Sequence, residues 1–158
     1  MSALRRGAGN GIKAWPRSRF EQVAAAQAAK GRVPVFLLGP QELDWCDSLA
    51  AAVPAALFPL QAYDAWGGAA LSIEQTLAVG SLLNVAVAND SGTGHMLAAV
   101  DCPLISLFGP TSPVKLAPRV TRGLVVQAQD FGGSEMSAIP WESVDSAIES
   151  FLLQGRPQ

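Results

Sequence analysis

The chain has 158 residues, 49% of them hydrophobic, which suits one folded domain with a real core. Eleven Lys and Arg against thirteen Asp and Glu leave a formal net charge of -2, so the basic surplus that draws a protein to nucleic acid or anionic lipid is absent. No window approaches the roughly 18 apolar residues of a membrane span, and Arg5 and Arg6 are not followed by the apolar stretch of a secretion signal.

These features together predict a cytoplasmic chain. Its two cysteines, Cys46 and Cys102, sit in apolar surroundings far apart and read as buried free thiols.

In chain order, Ser2 to Arg5 reads as a short strand, followed by the loop GAGNGIKAW and a helix from about Pro16 to Lys30. Pro16 suits a first helical position, Phe20, Val23, Ala24 and Gln27 recur at helical spacing, and Gly31 supplies a stop. Val33 to Leu38, VPVFLL, reads as a buried strand ending at Gly39 and Pro40. Leu43, Cys46, Leu49, Ala50 and Val53 then mark one face of a second helix. From Pro54 to Gly68 the pattern is irregular, with ALFPL a strand broken by Pro59.

Ser72 with Gln75 is a capping-box signal for a third helix through about Leu82. Val85 to Ala88, Leu104 to Phe108 and Leu124 to Gln127 read as strands, with a helix from His95 to Val100 between the first two. A last helix, about Trp141 to Leu153, buries Val144, Ile148, Phe151 and Leu152. The series predicts a single α/β domain over residues 1–158, a Rossmann-like parallel sheet with helices on both faces. In a parallel sheet the loops that follow strands leave by the same edge, so GAGNGIK, GPQE, NDSGTGH and GPTSP should converge where open α/β sheets bind ligands.

Each loop has a plain reading beside its functional one. The glycines of GAGNG do not match the GxGxxG spacing of a dinucleotide fingerprint, and no acidic residue follows a second strand where a ribose would need it. Either the loop delivers Lys13 to an anion, or it is a tight turn with Lys13 solvated. In NDSGTGH, Asp90, Ser91 or Thr93 can cap the next helix, while Gly92 and Gly94 let the backbone approach a ligand. Free amides at a helix N-terminus make an anion site, with His95 in the first turn.

Ser91 and His95 do not form a hydrolase pair, because GxSxG is absent and the histidine does not arrive from a distant loop. Asp90, His95 and Asp101 give a metal only one nitrogen ligand, so no metal site is expected. Glu42 opens the second helix, where a carboxylate suits the dipole anyway. Thr111 could touch a ligand or cap, and Trp15 reads as core packing.

With these loops assembled, the sequence resembles the family 9 glycosyltransferases, typified by ADP-heptose:lipopolysaccharide heptosyltransferases, in their C-terminal half. GAGNGIKAWPRSRF looks like the family's "PGA…K.WP…F" opening, VFLLGPQE like "LLG…E", and NDSGTGHMLAAVDCPLISLFGPTSP like "NDTG..H.AAA…P…LFGPT.P". The matches run roughly from Ala3 to Pro118. The resemblance implies half of a GT-B enzyme, the half that grips a nucleoside diphosphate sugar such as ADP-heptose as substrate, with no metal or other cofactor.

Carried over by position, Lys13 would reach the diphosphate, Glu42 would lie near the nucleoside, and Asp90, Ser91, Gly92 and His95 would surround the sugar and its phosphates. The acceptor-binding half and its catalytic base are expected from a missing N-terminal half or a partner chain. The acceptor would be a glycolipid such as lipopolysaccharide core, met at the inner membrane by the full-length protein. Gly9 stands where the family often has a hydroxyl residue, and Thr93 and Gly94 replace the usual Pro and Met. By itself the chain should bind donor without turning it over. The rival reading is a non-catalytic nucleotide-sugar-binding or interaction module that keeps the fold, and a third is an epimerase of related architecture.

Overall fold

The computed structural model describes residues 14–65 and 72–154. The predicted strand Ser2–Arg5, the GAGNG loop and Lys13 lie outside the described residues. Helix α1 spans Arg17–Ala29, with Pro16 as its N-cap residue, and it buries Phe20, Val23, Ala24 and Gln27 as their spacing demands. It stops at Gly31, whose φ of 78° is the left-handed conformation that closes many helices and that glycine adopts without a Cβ penalty.

Residues 35–38 are buried, whereas Val33, which the sequence placed in the same buried strand, is exposed; among the described residues their backbone pairing is one parallel bridge, Val35 to Leu57. The predicted strand forms a layer of the core, with Phe36 N–H donating to the Leu57 carbonyl and Leu57 N–H to the Pro34 carbonyl, each at 2.9 Å. The predicted second helix is divided into a 3-10 turn, Leu43–Trp45, and helix α2, Cys46–Ala52. The one-face pattern assigned to it does not hold: Leu49 and Val53 are buried, whereas Leu43 and Ala50 are exposed. Cys46 is half-buried and Cys102 buried, both with free thiols, so only Cys102 meets the expectation of a fully buried one.

Pro59 does not break a strand; it begins helix α3, Pro59–Ala65, which fits the tolerance of helices for proline in their first turn. Helix α4, Ile73–Gly80, starts with the predicted capping box: Gln75 N–H donates to Ser72 Oγ, and Gln75 Oε1 accepts from Ser72 N–H, each at 3.2 Å. It ends two residues before the expected Leu82.

Strands β1 (Ala86–Asn89), β2 (Leu104–Phe108) and β3 (Gly123–Gln127) form a parallel sheet in sequential order, with Ala86 opposite Leu104 and Leu104 opposite Gly123. Helix α5, Gly92–Ala99, links β1 to β2, and a short helix α6, Pro113–Leu116, follows β2. The last helix, α7, Trp141–Gln154, buries Val144, Ile148 and Phe151, with Leu152 only half-buried.

Two apolar clusters cover the two faces of the sheet. Val85, Val87, Ile105 and Leu107 pack with Phe36 and Leu38 against α1 and α7, while Ala86, Ala88 and Leu104 pack with Val35 and Leu37 against Leu97 of α5. Alternation along each extended segment sends neighbouring residues to opposite faces. The α/β layering with helices on both faces is as expected.

Helices α1 and α7 are also joined by charge. Gln27 Nε2 donates to Asp145 Oδ1 at 2.7 Å and to Glu149 Oε1 at 3.1 Å. Lys30 Nζ bridges the same two carboxylates at 2.7 and 2.9 Å, and Arg32 holds Glu149 through both guanidinium nitrogens. Hydrogen bonds from Arg32 and then Lys30 keep the Glu149 carboxyl well below the usual carboxylate range, and the bonds that Lys30 donates to Asp145 and Glu149 raise the pKa of its ammonium.

Candidate functional site

Strand β1 ends in Asn89, a polar residue that is 4% exposed at the close of an otherwise apolar run. Its Oδ1 accepts the Trp15 backbone N–H at 3.1 Å, which fixes the segment entering α1 to the C-terminal end of β1. Trp15 is itself buried: its indole N–H donates to the Ile139 carbonyl at 3.0 Å, and its ring meets Phe20 edge-on at 4.7 Å. It is core packing, as its sequence context indicated. Asn89 was not singled out among the sequence candidates, although a polar residue terminating a buried strand was the signal available.

Asp90 continues the β1–β2 ladder by one bond, its N–H donating to the Leu107 carbonyl at 3.1 Å. Its Oδ2 accepts from Thr111 Oγ1 at 2.8 Å, so Thr111 of the GPTSP loop makes a specific contact with the loop after β1. Ser91 is the N-cap residue of α5, with φ -153° and ψ 166°, but its side chain makes no capping hydrogen bond. Ser91 Oγ and Thr93 Oγ1 are both buried without a partner. The capping role expected of Ser91 or Thr93 is therefore not filled by either hydroxyl. Such orphaned polar atoms are few in native proteins and each calls for an explanation.

Helix α5 starts at Gly92, three residues before the expected His95, which puts His95 at the close of the first turn, exposed. Gly92 is exposed, but Gly94 is not open to a ligand. A Cβ there would lie 3.5 Å from Pro118 and 3.6 Å from the Asn89 carbonyl, ordinary contact distances, so the position is covered by protein without the packing demanding a glycine. Asp101 lies beyond the other end of α5, about 13 Å along the axis at the usual helical rise. Its carboxylate accepts the Thr121 N–H at 2.7 Å, so it cannot join Asp90 and His95 around one ion. Among the described residues no group of three His, Cys, Asp or Glu side chains converges as a metal site would.

Glu42 precedes the 3-10 turn instead of opening α2, and it is 1% exposed. Its Oε2 accepts the Gly39 N–H at 3.0 Å, and its own N–H donates to the Gly39 carbonyl at 3.0 Å. The side chain thus folds the GPQE turn on itself. That turn and the start of α5 share a cleft of about 160 Å³, whose walls include Gly39, Pro40, Ser72, Thr76, Thr93 and Met96. The cleft brings GPQE and NDSGTGH together at the C-terminal end of β1, as the topology required. Neither Ser72 nor Thr76 was foreseen as part of its wall.

Residues 2–136 match the family described as glycosyltransferase family 9 (heptosyltransferase). A curated relative, lipooligosaccharide heptosyltransferase 2 of Haemophilus influenzae, is 46% identical over 41 residues, covering 26% of this chain and 12% of its own. Among solved structures, E. coli heptosyltransferase WaaC with ADP superposes with a TM-score of 0.77 at 23% identity, over 95% of this chain and 43% of that one. E. coli ADP-heptose lps heptosyltransferase II gives 0.79 at 20% identity, over 97% and 46%. The chain therefore spans less than half the length of these relatives, and the fold corresponds to about the C-terminal half of the two solved ones. No described helix is long and apolar enough to cross a membrane.

Proposed function

The chain belongs to glycosyltransferase family 9, and we propose that it is the part of such an enzyme that holds a nucleoside diphosphate sugar. The observation that carries this is the first turn of α5. It has two buried hydroxyls without partners, Ser91 Oγ and Thr93 Oγ1, and the exposed His95 at its close, at the sheet edge where ligands of open α/β folds bind. Amides at a helix N-terminus favour an anion, and a phosphate there can also take hydrogen bonds from Ser91 and His95.

Lys13, assigned to the diphosphate by the family pattern, precedes by two residues the Trp15 that Asn89 anchors. The mostly apolar cleft beside Gly39 and Pro40 takes the nucleoside, with Glu42 holding the turn that forms its wall. These donors stabilise the negative charge that grows on the departing diphosphate as the sugar is transferred. The acceptor, a glycolipid of the lipopolysaccharide core, and the base that deprotonates it come from outside this chain. Support for the nucleotide is that one structural neighbour carries ADP and another ADP-2-deoxy-2-fluoro heptose.

Titration calorimetry of the chain against ADP, UDP and GDP tests the reading. One nucleotide class should bind, and Lys13→Ala should weaken it about ten- to hundredfold, because a hydrogen bond to a charged group is worth roughly 1.5 to 3 kcal/mol. His95→Ala should weaken the same ligand. Binding to none of the three, or binding indifferent to both substitutions, overturns it.

A further inference from the structure

We infer that Thr111 is a positioning residue for the diphosphate, acting through Asp90; the inference rests on the donor-binding reading above. Asp90 stands immediately before the N-cap residue of α5, the position from which a carboxylate could swing over the helix's first amides. A carboxylate laid there would compete with a phosphate for the same donors and repel it. In the structure Oδ2 of Asp90 is instead turned toward the loop after β2, where Thr111 Oγ1 donates to it at 2.8 Å.

The loop that presents Thr111 is firmly held. Pro110 and Pro113 flank its hydroxyl residues. At its start, a Cβ on Gly109 would come within 3.1 Å of the Met136 backbone nitrogen and 3.0 Å of its side chain, so the backbone passes close against Met136, which would have to shift for a larger residue. The Gly109 carbonyl accepts from Gln129 Nε2 at 2.7 Å. On the other side of Asp90, Asn89 takes the Trp15 N–H. Consecutive residues at the end of β1 thus tie the loop after β1 to two other loops: Asn89 to the one that enters α1, and Asp90 to the one that leaves β2. Thr111 acts as a latch that keeps an anionic side chain on the β2 side of the site and leaves the start of α5 to the ligand's phosphates.

The test is calorimetric titration of the chain with ADP, and with UDP and GDP in parallel, using wild type, Thr111→Val and Thr111→Ser, with a melting curve for each. Valine has the shape of threonine without the hydroxyl; serine keeps the hydroxyl. The expected result is affinity about tenfold weaker for Thr111→Val and near wild type for Thr111→Ser, with the melting temperature of both unchanged. Wild-type affinity in Thr111→Val overturns the latch alone. Equal losses of affinity in both variants, or a loss that tracks a lowered melting temperature, also overturn it, since both mean a structural role. No binding by wild type to any of the three nucleotides overturns the donor-binding reading and the latch with it.

Discussion

The α1–α7 side of the molecule and the α5 edge use the same kinds of polar side chain to opposite ends. Between α1 and α7, Gln27, Lys30, Arg32, Asp145 and Glu149 satisfy one another across two helices. At the start of α5, Ser91 Oγ and Thr93 Oγ1 are withdrawn from solvent and given nothing to bind. Withdrawing a hydroxyl without a partner costs roughly 1 to 3 kcal/mol, a cost that recurs at sites built for something other than folding. Polar groups that complete one another tie helices together, and the two left incomplete are the observation behind the proposed donor site.

The contrast can be broken most severely at Trp15, which belongs to both regions. Trp15→Ala removes a buried ring and its bond to the Ile139 carbonyl, and denaturant unfolding should show a loss of about 3 to 5 kcal/mol. A much smaller loss would mean that the segment entering α1 is not held from the core.

A smaller substitution sharpens the contrast at the site itself. Thr93→Val keeps the shape and removes the orphaned hydroxyl, so the ligand-free chain should gain about 1 kcal/mol in unfolding free energy while binding ADP more weakly. A loss of stability would show that the hydroxyl is satisfied in solution.

The smallest effect belongs to the paired side. Glu149→Gln should cost about 1 kcal/mol or less, because the carboxylate and its partners are partly exposed, and nucleotide binding should be untouched. Its pH signature is more diagnostic than its size. A carboxyl depressed in the folded chain contributes fully above about pH 4.5, its ordinary value, and that contribution is lost as the pH falls further. Wild type should lose melting temperature in acid more steeply than Glu149→Gln; parallel curves would mean the network contributes nothing. Lys30, raised by the same partners, gives the opposite limb, its contribution complete below about pH 10.5 and lost above it.

Helix α1, the core face of α7, the capping box of α4 and all three strands were legible in the sequence because each follows from local periodicity or from a side chain bonding three residues away. The failures were tertiary. Residues 35–38 have a strand's composition, but ladder formation depends on a neighbour, and among the described residues theirs is the bridge to Leu57. Pro59 is compatible with either the end of a strand or the first turn of a helix, and nothing local decides between them. The start of α5 was placed late because Gly92, Thr93 and Gly94 are poor helix formers, and packing of Thr93, Gly94 and Leu97 overrides that preference. At the site, the glycine and hydroxyl residues announced a ligand loop. That Ser91 would decline to cap, that Gly94 would face Pro118, and that Asn89 would anchor Trp15 depend on partners 74 residues away or on close packing, which no spacing rule reaches.

Side chains along residues 35–38 alternate between the two core clusters. Among the described residues the alignment of this segment is set by two backbone bonds, Phe36 N–H to the Leu57 carbonyl and Leu57 N–H to the Pro34 carbonyl, each at 2.9 Å, and by volume as well. Phe36 and Leu38 fill the α1–α7 side, Phe36 stacking on Phe58 at 5.5 Å, and the smaller Val35 lies with Leu37 on the α5 side. A slip of one residue would exchange the two sets and drive a phenyl ring into the space shaped for an isopropyl group. The wall of the cleft is therefore keyed by shape as well as by hydrogen bonds: the bulk of Phe36 acts together with the bonds to Leu57 and Glu42 in determining where Gly39 and Pro40 come to rest.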